Sequence, residues 1–168
     1  MTVEELDRLP DDAARAALAR CCGAGAWVNG MLAARPFRDR AGLLTAAERV
    51  AATLGRDDWL EAFAQHPRIG ERPDPSHHAA TAAWSSEEQR GTSGAAAATR
   101  DRLAEGNRAY EARFGYGFIV CATGRSAEEM LAELERRLDH EPAHELTVAA
   151  GEQRAITRIR LEKLLGDT

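Results

Sequence analysis

Apolar residues recur at helical spacing along almost the whole chain. Ala14, Ala17, Leu18 and Cys21 line one face, and Trp27, Val28, Met31 and Leu32 another. Ala47, Val50, Ala51 and Leu54 form a third face, and Met130, Leu131, Leu134 and Leu138 a late one. A helix from about Thr92 to Phe114 carries Leu103, Tyr110 and Phe114 on one stripe. A final helix runs from about Pro142, a residue suited to a first turn, to Leu165. Helix starts of capping-box form stand at Thr2-Val3-Glu4-Glu5, Thr45-Ala46-Ala47-Glu48, Ser85-Ser86-Glu87-Glu88 and Ser126-Ala127-Glu128-Glu129. Breaks fall at Gly23-Ala24-Gly25, Arg35-Pro36, Arg68 to Pro75, Gly115-Tyr116-Gly117 and Gly124, and Arg72 to His78 is the most loop-like stretch. The only strand-like segment is Phe118-Ile119-Val120-Cys121, short and preceded by Gly117. It has no obvious pairing partner, so its backbone groups need partners other than a ladder, and such a piece reads as the wall of a site. The pattern predicts an all-α fold: a single-domain multi-helix bundle over residues 1–168 with one short extended segment near Phe118–Cys121.

Composition narrows the function classes. With 22 basic and 27 acidic residues the net charge is −5, both signs are scattered, and there is no basic tract for nucleic acid or an anionic membrane. No apolar run approaches the length needed to span a bilayer. The three cysteines, Cys21, Cys22 and Cys121, include a vicinal pair, which is not a disulfide framework and points to a reducing compartment. Met1-Thr2-Val3-Glu4-Glu5 has neither the basic nor the apolar region of a secretory signal, and Leu165-Gly166-Asp167-Thr168 is not a peroxisomal address. A cytoplasmic protein is expected.

The richest local chemistry lies at His66-Pro67-Arg68-Ile69-Gly70. It follows the helical pattern Trp59-Leu60-xx-Phe63-Ala64, and continuing that stripe lands on His66. The imidazole is therefore expected at a helix end, facing inward, with Pro67 stopping the helix and Gly70 allowing a sharp turn. An imidazole so placed can act as an acid/base centre, or it can simply cap the last carbonyls of its helix.

Four other places could carry chemistry. Ser85 to Gln89 reads as a helix cap, or as a helix N-terminus offering N–H groups and hydroxyls to an anionic ligand. Asn107 falls on the stripe of Leu103 and Tyr110, where a buried amide must be hydrogen-bonded, most simply by holding a loop. Arg160 lies in an apolar arc between Ile156 and Leu164, and either snorkels to water or holds a carboxylate. His140-Glu141-Pro142-Ala143-His144 matches the HExxH pattern of zinc peptidases. That chemistry needs both imidazoles on one face of a continuous helix, and Pro142 argues that the helix begins between them.

Taken in order, these segments resemble one family. His66-Pro67-Arg68-Ile69-Gly70, Trp84-Ser85-xx-Glu88-Gln89, Asn107-xx-Tyr110-xx-Arg113-Phe114-Gly115-xx-Phe118-Ile119-Val120-Cys121-Ala122 and Ile156-xx-Ile159-Arg160-Leu161 look like 2-oxo-4-hydroxy-4-carboxy-5-ureidoimidazoline (OHCU) decarboxylase, over nearly the whole chain. The resemblance implies the last step of oxidative urate breakdown to (S)-allantoin, in an all-helical, cofactor-free protein that is usually a homodimer. It implies His66 as the acid/base residue and Glu88 as its catalytic partner. Pro67, Ser85, Ser86, Glu87, Glu88, Gln89, Phe118, Ile119, Val120, Cys121 and Ala122 would line the substrate site, and Arg160 falls on a functional arginine. Glu87 stands one register from Glu88, and Gly117 is smaller than the pattern favours. Two rival classes stay open on the residues alone: a zinc-dependent hydrolase using His140, Glu141 and His144, and a non-catalytic helical interaction module.

Overall fold

The computed structural model describes residues 1–70 and 81–166. Among these, nine α-helices follow one another: α1 (Val3–Arg8), α2 (Asp11–Ala19), α3 (Gly25–Ala33), α4 (Arg40–Ala51), α5 (Arg56–Phe63), α6 (Ala82–Glu88), α7 (Ala97–Phe114), α8 (Ala127–Arg137) and α9 (Pro142–Leu164). One 3₁₀ turn spans Arg90–Thr92, and no strand forms among the described residues, in agreement with the all-α expectation. The loop-like stretch Arg72 to His78 lies outside them.

Two of the four expected capping boxes form. Thr2 and Ser126 each accept from the N–H of the third helical residue, and Glu5 and Glu129 return the bond to the cap's own N–H. The other two are corrected. Thr45 sits inside α4, which begins at Arg40 because Asp39 caps it by accepting from Gly42 N–H. Ser85 sits inside α6, which begins at Ala82. A Ser/Thr-x-x-Glu pattern fits a cap but does not compel one, and in α4 the buried apolar face already begins at Leu43, N-terminal to Thr45. The expected helix from Thr92 begins at Ala97. The last helix starts at Pro142, as expected, and ends at Leu164.

The chain divides into two compact units, Met1–Ala62 with Gln153–Thr168, and Phe63–Glu152. In the first, Leu6, Leu18, Met31, Leu43 and Leu161 are fully buried, and the Trp27 indole donates to Ala47 C=O at 3.3 Å. In the second, α7 crosses α8 closely: a Cβ on Gly106 would stand 2.5 Å from Leu134 Cδ2. Against that crossing Tyr110 packs Phe114 and Phe118 with ring centroids 4.7 and 5.3 Å apart, and Phe63 meets Tyr116 at 5.2 Å. This aromatic cluster supplies the rigid support for the segments described next.

Candidate active site

Three segments of the second unit carry most of the residues singled out from the sequence. The first is the loop 66–70. α5 ends at Phe63, and His66 N–H donates to Phe63 C=O at 3.1 Å. The helix thus closes before Pro67 rather than at it, and His66 stands half-buried on the turn just beyond. Pro67 and Ile69 are buried. Asn107 Nδ2 donates to Ile69 C=O at 3.0 Å, so the buried amide does hold a loop. Its Oδ1 is buried and makes no hydrogen bond among the described residues. Gly70 adopts φ +84°, the left-handed region that favours glycine, and its N–H donates to Gln89 Oε1 at 2.9 Å. Arg68 forks onto Glu111 at 2.6 and 2.8 Å, and that bond holds the Glu111 carboxyl below its ordinary value against a smaller opposing effect of burial.

The second segment is α6 with the turn that follows it. Ser85 to Glu88 form its last turn, so the expected helix start, with free N–H groups for an anion, is overturned. Burial separates the two carboxylates. Ser85 and Glu88, three residues apart and therefore on one face, are 2% and 8% exposed. Ser86 and Glu87 face solvent, and Glu87 pairs with Arg90 at 3.7 Å. Gln89 Oε1 is committed to Gly70, so this side chain ties α6 to the histidine loop. Gly91 then lies so close to the chain after the wall that a Cβ would meet Arg125 C=O at 1.8 Å.

The third segment is the wall, 118–122. It joins no ladder, as expected, and side chains replace the missing strand. Phe118, Val120 and Ala122 belong to the core cluster around Tyr110 and Met130, whereas Ile119 and Cys121 do not. This is the period-two alternation of extended chain. Ile119 C=O accepts from Arg137 Nη1 at 2.8 Å, and Cys121 N–H donates to Glu152 Oε2 at 2.6 Å. Val120 is buried as a residue, and its backbone N–H and C=O make no hydrogen bond among the described residues. The Cys121 thiol is pushed above its ordinary value, first by burial, then by the charge of Glu152, and in smaller part by that of Glu88. The Glu88 carboxylate is therefore within electrostatic reach of the wall.

Behind the wall lies a polar hub that sequence reasoning missed. Arg137 and Glu145 are fully buried and pair through Nε at 2.7 Å, and the Tyr110 hydroxyl also donates to Glu145. Burial, followed by that bond to a carboxylate, pushes the Tyr110 hydroxyl well above its ordinary range. The signal for Arg137 was its place one heptad after Met130, on the apolar face of α8.

Arg160 belongs to the first unit. It is 2% exposed, so it does not snorkel, and its Nη1 donates to Arg20 C=O at 3.4 Å near the buried Cys22. His140 lies outside the helix that Pro142 opens. Its Nδ1 meets Glu145 Oε2 at 2.7 Å and its Nε2 stands 3.0 Å from Arg136 Nη1, so both ring nitrogens are engaged. Among the described residues no group of three or more potential metal ligands forms, His140 and His144 included.

The OHCU decarboxylase family matches residues 7–162. The chain belongs to the OHCU decarboxylase family. An OHCU decarboxylase of Haloferax volcanii is 29% identical over 162 residues, 96% of this chain and 94% of that protein. The uric acid degradation bifunctional protein TTL of Arabidopsis thaliana is 38% identical over 148 residues, 88% of this chain but 46% of its own length, so the chain spans about half of that relative. A crystal structure of an OHCU decarboxylase in the presence of (S)-allantoin has a TM-score of 0.76 at 32% identity, covering 95% of this chain and 100% of that one.

Proposed function

We propose that this chain decarboxylates OHCU to (S)-allantoin in urate degradation, through His66 and Glu88, without a metal or organic cofactor, as a homodimer in the cytoplasm. The family match over residues 7–162 carries the reading. The half-buried His66, the inward Glu88 and the unladdered wall within one compact unit support it. Free cysteines suit a reducing compartment. No helix among the described residues is long and apolar enough to cross a membrane. The role of Arg160 towards substrate rests on the family pattern, and there it would orient the substrate rather than neutralise its leaving carboxylate, since a strong ion pair to that group would stabilise the ground state.

The chemistry suits these residue types. The bond from the hydroxyl-bearing carbon to its carboxylate breaks and CO₂ departs. The electron pair forms the C=C of an enol as the electrons of the adjacent ring C=N, the electron sink, move onto its nitrogen, which gains a proton in exchange for the one that the enol hydroxyl gives up. The ureido-bearing carbon then takes a proton on one face as the hydroxyl carbon becomes a carbonyl. His66 supplies the proton, and Glu88 orients the imidazole and favours its charged form. Val120 N–H and C=O offer a donor and an acceptor to the amide-like edge of the substrate.

The test generates OHCU from urate with the two upstream enzymes and follows the circular dichroism of allantoin after this protein is added. No acceleration over the spontaneous reaction would overturn the reading. Activity is expected to survive exhaustive dialysis against EDTA. Loss that zinc restores would favour the hydrolase-type centre at His140 and His144 instead.

Glu88→Gln keeps shape and removes charge. It is expected to fold normally and to lose at least about tenfold in turnover, equivalent to ~1.4 kcal/mol of transition-state stabilisation. Glu87→Gln, on the solvent side, is expected to be close to neutral in the same assay. Equal sensitivity of the two would show that charge near the helix end matters, and not a specific pairing with His66.

A further inference from the structure

The wall 118–122 is held in an unusual way. In extended chain, the N–H and C=O of one residue point to the same edge, and those of the next residue to the other. Ile119 and Cys121 therefore share an edge, and both of its anchored groups are taken by side chains: Ile119 C=O by Arg137 at 2.8 Å and Cys121 N–H by Glu152 at 2.6 Å. The opposite edge carries the N–H and C=O of Val120, which make no hydrogen bond among the described residues. An isolated extended segment without a ladder would otherwise be free to rotate its peptides and satisfy them on water. Glu152 is itself steadied by Arg125, 3.8 Å from its other oxygen, and its side chain is 18% exposed. Arg137 is fully buried, and its guanidinium also lies 4.7 Å over the Phe118 ring.

We propose that Glu152, together with Arg137, is a positioning residue for the decarboxylation. The two side chains clamp the odd-numbered edge of the wall and so present the Val120 peptide groups to substrate in a fixed direction. Glu152 touches no reacting atom in this scheme. It acts through the Cys121 amide, by an acceptor that a carboxylate or a carboxamide can supply. The proposal rests on the reading of the wall as a substrate surface, and its test has one arm that does not.

The first arm is kinetic, in the full-length chain. Glu152→Ala is expected to lower kcat/KM at least about tenfold, mainly through KM, with the far-ultraviolet circular dichroism retained. Glu152→Gln is expected to recover most of that loss, because its carbonyl oxygen can still accept from Cys121 N–H. A folded alanine variant with unchanged kcat/KM overturns the proposal. So does a glutamine variant as impaired as alanine, since that would assign the effect to charge and not to the clamp. The second arm is amide hydrogen exchange. In the unmodified protein the Cys121 amide is expected to be protected without ligand, and the Val120 amide to gain protection only on adding (S)-allantoin. Rapid exchange at Cys121 overturns the clamp whether or not the variants fold. If the unmodified protein fails to turn over OHCU while Cys121 is protected, the functional reading fails and the clamp stands as structure alone.

Discussion

His66→Asn is expected to reduce turnover of OHCU by about 10²–10⁴, the usual contribution of a general acid or base, while leaving the fold in place. Position argues for both halves of that expectation. His66 lies past the end of α5, half-buried, so no intrahelical turn depends on its side chain. The loop around it is pinned by other groups, namely Ile69 C=O on Asn107, Gly70 N–H on Gln89 and Arg68 on Glu111. With these bonds in place, the loop is expected to keep its path when the imidazole is replaced. Circular dichroism of the product checks rate and configuration together. An asparagine variant that still forms (S)-allantoin at a near-normal rate would show that the proton comes from another group. A variant that forms allantoin at the spontaneous rate, and as a racemate, fits the assignment.

Much of the helical framework was legible because burial repeats with helical period. Every residue of the stripe Leu103, Asn107, Tyr110 and Phe114 is buried in α7, and the polar member, Asn107, bonds a loop carbonyl as a buried amide must. Helix starts were less legible. Thr2 and Ser126 cap their helices, but Thr45 and Ser85 carry the same local pattern inside theirs. For α4, Asp39 offers a competing cap upstream. For α6 the pattern marked a real feature for the wrong reason: Ser85 and Glu88 share an inward face, and the three-residue spacing that a capping box needs is also the spacing of one helical face.

The candidate site divides along the same line. His66, Glu88 and the wall were named from sequence, while the partners of the wall were not. Arg137 and Glu152 come from α8 and α9, and each bonds a backbone group far away in the chain. Local periodicity reports which face of a helix is buried but not what that face meets. A charged residue inside an apolar arc was the available sign. Arg160 shows that sign plainly, whereas at Arg137 the neighbouring Leu138 offers an apolar continuation of the stripe from Met130. Leu138 proves only half-buried, and Arg137 takes the interior position.

That substitution of an arginine for an apolar side chain leads to the largest expected effect on stability. Arg137→Met is expected to destabilise the protein by about 3–5 kcal/mol, because it leaves the fully buried Glu145 carboxylate without its guanidinium. Glu145 would keep the Tyr110 hydroxyl and the contact with His140 Nδ1, neither of which matches a forked arginine bond held at 2.7 Å through Nε. The double variant Arg137→Met with Glu145→Leu removes both charges and is expected to recover part of the loss, as apolar replacement of buried ion pairs often does. Recovery should stop short of complete. Ile119 C=O and the Tyr110 hydroxyl would then be buried without partners, at about 1–3 kcal/mol for each unsatisfied group. Urea denaturation of the three proteins measures all of this. A single variant that loses less than about 1 kcal/mol would show that the hub contributes little on its own. Full recovery in the double variant would show that Ile119 C=O does not need Arg137, and would remove one of the two side chains that hold the wall.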